Sequence, residues 1–141
     1  MRQQARADEL ARVALFARCS RRALRRLAAE AHVEQIEPGE KVVSVGSPSS
    51  QLYVILAGTA GVRHDGTEVD QVSAGDVVGE LGLLFDAPRN ADVVATSALE
   101  VLSLNRDGLR RAVEDVPGMG WTLLTTVAER LHRVQGRAPG C

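Results

Sequence analysis

The feature of this sequence that most constrains its fold is a series of short β-like segments between residues 32 and 104, separated by glycine turns. The segments are 33–37, 41–45, 52–56, 60–64, 67–72, 77–78, 91–96 and 99–104. Asp65-Gly66 predicts a two-residue hairpin with a type I′ turn. Short strands joined by regularly placed glycine turns predict an antiparallel barrel or roll, not the parallel sheet of alternating strands and helices.

Helical periodicity flanks this β region on both sides. Apolar residues recur at helical spacing over 7–18 and 21–31, and Ser20 is the predicted N-cap of the second helix. A short helix over 108–115, starting near Asn105, and a longer one over 119–135 are predicted on the other side. The 141 residues suit one domain. Its predicted parts are N-terminal helices (1–31), a β-roll (32–104), C-terminal helices (105–135) and a tail (136–141).

The last predicted helix carries two apolar rows. One row comprises Trp121, Leu124, Ala128 and Leu131, and the other comprises Leu123, Val127 and Val134. Two rows indicate contact with two surfaces, namely the β-roll of the same chain and the matching helix of a second copy. Burial of both rows within one chain is an equal alternative, because two heptads are short for a coiled coil.

One stretch, residues 78–91, carries the chemistry and is called the cassette below. It holds a glycine-flanked carboxylate at Glu80, a guanidinium at Arg89 and backbone N–H groups free of side-chain obstruction. The first N–H groups of a helix favour phosphate, and the arginine fork matches phosphate oxygens. A carboxylate accepts hydrogen bonds from hydroxyls and repels phosphate, so Glu80 is predicted to face a ribose. The cassette therefore predicts a site for a small anion that bears hydroxyls.

The overall composition does not favour binding to nucleic acid or to a membrane surface, since the net charge is −1 and the pI is about 6.3. Residues 1–30 hold eight arginines against three acidic residues, a pattern more typical of a solvated helix face than of a surface for an acidic partner. Cys19 and Cys141 lie too far apart in sequence to indicate a disulfide framework. With no signal peptide and no apolar run long enough for a membrane span, a cytoplasmic location is predicted.

An enzyme is not predicted. The three histidines, His32, His64 and His132, are distant in sequence and form no metal-ligand spacing. No Gly-x-Ser-x-Gly elbow occurs, and the glycines at 79 and 82 are not followed by the Lys-Ser/Thr of a P-loop. We expect no catalysis, no metal and no cofactor.

The order of these motifs resembles the cyclic nucleotide-binding domain family, which includes catabolite activators, kinase regulatory subunits and nucleotide-gated channels. The likeness extends over about residues 15–134. It rests on Pro38-Gly39, Gly46, the strand 52–56 closed by Gly58, the turn 74–76 and, above all, Gly79-Glu80-Leu81 and Pro88-Arg89-Asn90-Ala91. The resemblance implies a mainly β fold. This is an eight-stranded antiparallel β-roll with N-terminal helices, a short phosphate-binding helix and a C-terminal lid helix.

The resemblance also implies a ligand, cAMP or cGMP, with cAMP as the first choice. Glu80 would accept from the ribose 2′-hydroxyl and Arg89 would pair with the cyclic phosphate. The backbone N–H groups of Gly79, Glu80, Leu81 and Ala91 would complete the phosphate site. The base would lie against Val62, Val72 and Val78, with Leu123, Leu124 or Val127 of the lid helix above it. Movement of that helix would signal to an effector protein or domain.

The cassette departs from the family pattern at two positions. Asn90 stands where Ser, Thr or Ala is common, and it is still included in the predicted site because its amide can donate to phosphate. Asp92 brings a second carboxylate near an anion site, although strand alternation places it opposite Val93. The loop after Gly46 also lacks a usual acidic residue. The alternative function is an interaction module that binds no nucleotide or another small anion. Only the tail 136–141 follows the last helix, so we expect no helix-turn-helix and no direct DNA binding.

Overall fold

The computed structural model of the chain describes residues 1–47, 50–86 and 88–135; the predicted tail, including Cys141, lies outside the described residues. The helices are α1 (Gln3–Leu10), α2 (Arg21–Glu30), α3 (Arg106–Asp115) and α4 (Met119–Gln135), with 3-10 turns at Ala14–Phe16 and Glu80–Leu83. The strands are β1 (His32–Ile36), β2 (Lys41–Val43), β3 (Gln51–Ala57), β4 (Thr59–His64), β5 (Thr67–Ser73), β6 (Val77–Val78), β7 (Asp92–Ala95) and β8 (Leu99–Asn105).

The eight strands of the described residues form two four-stranded antiparallel sheets. The first has the order β1-β8-β3-β6 and the second the order β2-β7-β4-β5. β4 and β5 are joined at Asp65 and Gly66, whose φ angles of 51° and 78° are both positive, as a type I′ turn requires. The predicted antiparallel roll and its hairpin are confirmed.

Strand β3 is apolar on both faces because it is packed on both sides. Leu52 and Val54 pack among the helices, while Ile55 packs among residues of the second sheet. β8 alternates in the same way, with Leu102 toward the helices and Val101 toward the other sheet. Because side chains alternate across a strand, the first sheet is covered by helices on one face and by the second sheet on the other.

The N-terminal helical region differs from the sequence prediction. α1 ends at Leu10, and Val13 has extended backbone (φ −70°, ψ 125°) before the 3-10 turn Ala14–Phe16. The prediction of one helix over 7–18 is therefore wrong. Val13, Leu15 and Phe16 are fully buried at this break, so tertiary packing outweighs the helical period. The predicted cap is confirmed, since the Ser20 side chain accepts from Ala23 N at 3.1 Å.

The predicted start and end of the longer C-terminal helix, 119–135, match α4. Its two apolar rows differ in exposure. In one row Leu123 is 7% exposed and Val127 is half-buried, although Val134 at the end of the helix is 67% exposed. In the other row Trp121 is 71% exposed and Leu124 and Leu131 are each 56% exposed. The alternative in which both rows are buried within one chain is wrong. Within the described ranges, the structure has no helix of the length and hydropathy needed to cross a membrane.

Candidate functional site

The cassette closes one side of a cavity of about 530 Å³. Glu80 and Arg89 both line it, together with Gly79, Asn90 and Ala91 of the predicted site. The other residues around it are Val43, Val62, Val72, Val77, Val78, Gly82, Phe85, Pro88, Val93 and Arg130. The three valines predicted for the base pocket thus lie in the same wall. Leu81 falls within the 3-10 turn, and its side chain lies outside the described part.

Arg89 is held by hydrogen bonds both at its main chain and at the end of its side chain. Its backbone N–H donates to Ser47 O at 3.1 Å, and its carbonyl accepts from Gly46 N at 2.8 Å. At the other end, Nη2 donates to Gln51 O at 2.6 Å. Anchoring the backbone and one terminal nitrogen fixes the position of the guanidinium before any ligand arrives.

Among the described residues, no acidic side chain balances the charge of Arg89. Within the described residues no carboxylate forms an ion pair with it, and its Nε is buried without a hydrogen-bond partner. Burial lowers the pKa of the Arg89 guanidinium, because desolvation penalises its charged form. A partly buried cation without a counter-charge is costly to keep, and an anion in the cavity would supply the opposite charge.

Glu80 starts the second 3-10 turn, and its two carboxylate oxygens differ. Oε1 accepts from Leu15 N at 2.5 Å and from Arg130 Nη1 at 3.1 Å. Oε2 has no hydrogen-bond partner among the residues that the structure describes, and Glu80 lines the cavity. One oxygen is therefore committed to the protein, and the other is available as an acceptor for a ligand hydroxyl.

The end of the cassette turn is supported by Arg106, the first residue of α3. Its Nε donates to Leu83 O at 3.0 Å and its Nη2 to Gly82 O at 2.7 Å. Nη1 pairs with Asp86 at 2.5 Å. A cation on the last carbonyls of a helical turn is stabilising, so Arg106 fixes the turn that carries Glu80.

The two departures from the family pattern have different placements. Asn90 is exposed and lines the cavity. Asp92 accepts from Val45 N at 2.7 Å and lies 3.4 Å from the Lys41 ammonium, while its neighbour Val93 lines the cavity. The hydrogen bond from Val45, followed by the charge of Lys41, lowers the pKa of Asp92. The expectation that Asp92 faces away from the site is confirmed.

The predicted lid residues lie elsewhere in this structure. Leu123, Leu124 and Val127 line a separate apolar groove of about 630 Å³, formed with Leu83 and residues of α3. α4 reaches the Glu80–Arg89 cavity through Arg130 instead. Cover of a base by Leu124 or Val127 therefore requires α4 to move.

The sequence does not predict three sets of contacts that hold the cassette. Arg130 lies 50 residues from Glu80 along the chain, and Leu15 lies 65 residues from it. Arg106 contacts carbonyls 23 and 24 residues away. Nothing in local spacing marks these contacts, because each depends on how the helices pack against the roll.

The site is of the kind that binds a small ligand carrying both an anionic group and hydroxyls, within an antiparallel β-roll. A family model described as "Cyclic nucleotide-binding domain" matches residues 33–115, more than half of the chain. The chain belongs to the cyclic nucleotide-binding domain family.

Curated relatives are cAMP-dependent protein kinase regulatory subunits. That of Hypocrea atroviridis is 34% identical over 86 residues, 61% of this chain and 19% of the relative. That of Yarrowia lipolytica is 31% identical over 101 residues, 72% of this chain and 27% of the relative. The matched parts thus span only about a fifth to a quarter of these relatives.

Solved structures share the fold over most of the chain. The N-terminal domain of a transcriptional regulator from Streptomyces coelicolor A3(2) has a TM-score of 0.85 at 27% identity, covering 95% of this chain and 99% of that one. A cyclic nucleotide-binding-like protein from Brucella abortus has a TM-score of 0.74 at 27% identity, covering 78% and 98%. The likeness therefore includes the flanking helices as well as the roll.

Proposed function

We propose that this chain is a cyclic nucleotide sensor that binds cAMP in the cavity between Glu80 and Arg89. The observation that carries the proposal is the Arg89 guanidinium, which is anchored, partly buried and without an anionic partner among the described residues. A cyclic phosphate supplies the missing negative charge, with charge-assisted hydrogen bonds to the guanidinium. The backbone N–H groups of Gly79, Glu80, Leu81 and Ala91 would complete the phosphate site.

The remaining walls suit the rest of a nucleotide. Glu80 Oε2 is available to accept from the ribose 2′-hydroxyl. Val62, Val72 and Val78 offer an apolar surface for a purine. The name of the curated relatives, cAMP-dependent protein kinase regulatory subunits, supports cAMP over cGMP as the ligand.

The signal would leave the domain through α4. Leu123, Leu124 and Val127 occupy a neighbouring groove, so we infer that ligand binding draws α4 toward the base. A ligand shifts such an equilibrium only by binding the closed state more tightly than the open one. The chain would then be a cytoplasmic regulatory domain without catalysis of its own. It would act on an effector protein or domain.

We also propose that α4 pairs with α4 of a second copy. Trp121, Leu124 and Leu131 are exposed on one face at heptad spacing, with Ala128 between them. Large apolar side chains in one contiguous exposed row mark an interaction surface. A self-complementary helix stripe of this kind fits a twofold dimer.

Isothermal titration calorimetry of the purified chain with cAMP and cGMP tests the nucleotide proposal. We expect saturable 1:1 binding, tighter for cAMP. Arg89→Ala and Glu80→Ala should each weaken binding roughly 10- to 100-fold, the effect of losing a hydrogen bond to a charged group. The control is Arg22→Ala, which removes an exposed arginine of α2 that does not line the cavity.

Stability measurements accompany these titrations. Arg89→Ala removes a guanidinium that has no ion-pair partner in the described part, so its folded state should be retained. Loss of binding in a folded Arg89→Ala variant supports the site. Absence of heat with either nucleotide for the wild-type chain contradicts the sensor function and leaves the alternative, a roll that binds another anion or none.

A further inference from the structure

We propose that Arg130 is a positioning residue of the nucleotide site: it holds the Glu80 carboxylate for the ribose and so makes the place of α4 depend on the ligand. The inference rests on the proposed function, since it concerns the same site. Neither the cassette pattern nor the apolar rows of α4 point to this residue. What points to it is the contact of Arg130 Nη1 with Glu80 Oε1 at 3.1 Å, together with the place of Arg130 in the cavity wall.

The contact is shielded enough to orient the carboxylate. The Glu80 side chain is 18% exposed and that of Arg130 is 34% exposed. Leu15 N and Arg130 Nη1 donate to the same oxygen, Oε1, which leaves Oε2 as the acceptor without a partner among the residues that the structure describes. Two donors on one oxygen restrict rotation of the carboxylate, so the free oxygen is preorganised for a hydroxyl.

The same contact connects the ligand to the helices. Arg130 belongs to α4, Leu15 to the first 3-10 turn and Glu80 to the cassette. The preceding residue of α4, Glu129, pairs with Arg18, which lies between that turn and α2. One turn of α4 is therefore tied both to the cassette and to the N-terminal segment. A nucleotide hydroxyl on Glu80 acts on a carboxylate that already holds α4 in place.

The experiment is a cycle that pairs a protein change with a ligand change. Wild type, Arg130→Ala, Arg130→Lys and the control Arg133→Ala are each titrated with cAMP and with 2′-deoxy-cAMP, which lacks the ribose 2′-hydroxyl. Arg133 is an exposed arginine of the same helix, three residues on. The ratio of the two dissociation constants measures the contribution of the hydroxyl in each variant, and the change in that ratio isolates its coupling to Arg130.

We expect 2′-deoxy-cAMP to bind wild type about tenfold more weakly than cAMP, from the loss of a hydrogen bond to a carboxylate. In Arg130→Ala the ratio should fall to about threefold or less, because Glu80 is no longer fixed. Arg133→Ala should keep the wild-type ratio, and Arg130→Lys should restore part of it.

An equal ratio in wild type and in both Arg130 variants overturns the role of Arg130 while leaving nucleotide binding intact. A wild-type chain that binds neither nucleotide overturns the proposed function and this inference together. A variant that binds cAMP is folded, so the ratio is read from folded protein in every case. If Arg130→Ala is too unstable to titrate, the ratio of the two dissociation constants is measured with Arg130→Lys.

Discussion

The Arg89 guanidinium occupies the space that a side chain on Gly79 would fill. A Cβ built on Gly79 would lie 2.1 Å from Arg89 Nη1 and 2.7 Å from Gln51 O. Gly79 also has a φ of +81°, in the left-handed region that side chains disfavour. The glycine before the site glutamate is therefore required both by its backbone conformation and by the close approach of the arginine.

Gly79→Ala is predicted to displace Arg89 and to weaken cAMP binding at least tenfold. Gly66→Ala is the matched control, since Gly66 has a similar φ of +78° but nothing within 4 Å of a Cβ. Both substitutions incur a backbone cost of about 1–2 kcal/mol, but only Gly79→Ala adds the clash. Chemical denaturation and calorimetry of the two variants give the comparison. Equal binding by both would show that the Arg89 position does not depend on Gly79.

Hydrogen exchange is expected to report movement of α4. With cAMP present, amides over 119–134 should become more protected, because the closed state buries part of the helix against the base. Amides of α2, residues 21–30, serve as the internal reference, since α2 lies outside the cavity wall. Unchanged protection of α4 at saturating cAMP would contradict its role as a lid.

The exposed row of α4 predicts a dimer that one charge disrupts. Leu124→Glu should convert the chain to a monomer, as measured by light scattering after gel filtration, because a carboxylate would be buried in the apolar contact. Arg133→Glu is the control, because Arg133 follows Leu124 by nine residues and therefore lies on the opposite side of the helix. A wild-type chain that stays monomeric at high concentration would show that this row has another partner.

Glu30 should make the fold sensitive to acid. Hydrogen bonds from Arg111 and Arg26 lower the pKa of Glu30 to about 2. A lowered pKa in the folded state adds stability that is present above the ordinary value of 4.5 and is lost as the pH falls toward 2. The contact between Glu30 and Arg111 links α2 to α3, and α3 also carries Arg106, which supports the cassette.

Glu30→Gln should therefore lower the free energy of unfolding by about 1 kcal/mol at pH 7, with the difference from wild type shrinking toward pH 2. Denaturant titrations between pH 2 and pH 7 measure it. Glu37→Gln is the control, because the exposed Glu37 carboxylate has no partner in the described part. Parallel pH profiles for wild type and Glu30→Gln would contradict the assignment.

Local chemistry explains which parts of the fold could be predicted from the sequence. The hairpin at Asp65-Gly66 and the cap at Ser20 depend on neighbouring residues alone, and both are as predicted. The break after α1 is not local, because burial of Val13, Leu15 and Phe16 decides it. That break also leaves Leu15 N–H to donate to Glu80 in place of an intrahelical carbonyl.

The site residues likewise fall into two groups, those that the local sequence predicts and those that only helix packing brings to the site. Glu80 and Arg89 are marked by the cassette pattern, and the structure places both in one cavity wall. Arg130 carries no such mark, since its contact with Glu80 depends on the docking of α4. The place of Leu124 and Val127 in a neighbouring groove likewise follows from helix packing, which periodicity does not specify.

The structure of the chain crystallised with cAMP tests most directly whether the cavity between Glu80 and Arg89 binds the nucleotide. We expect cyclic phosphate oxygens about 2.7–2.9 Å from the Arg89 guanidinium nitrogens, the usual length of a charge-assisted bond, and the ribose 2′-hydroxyl on Glu80 Oε2. A nucleotide seated in the groove between α3 and α4, with its phosphate away from Arg89, would contradict this expectation.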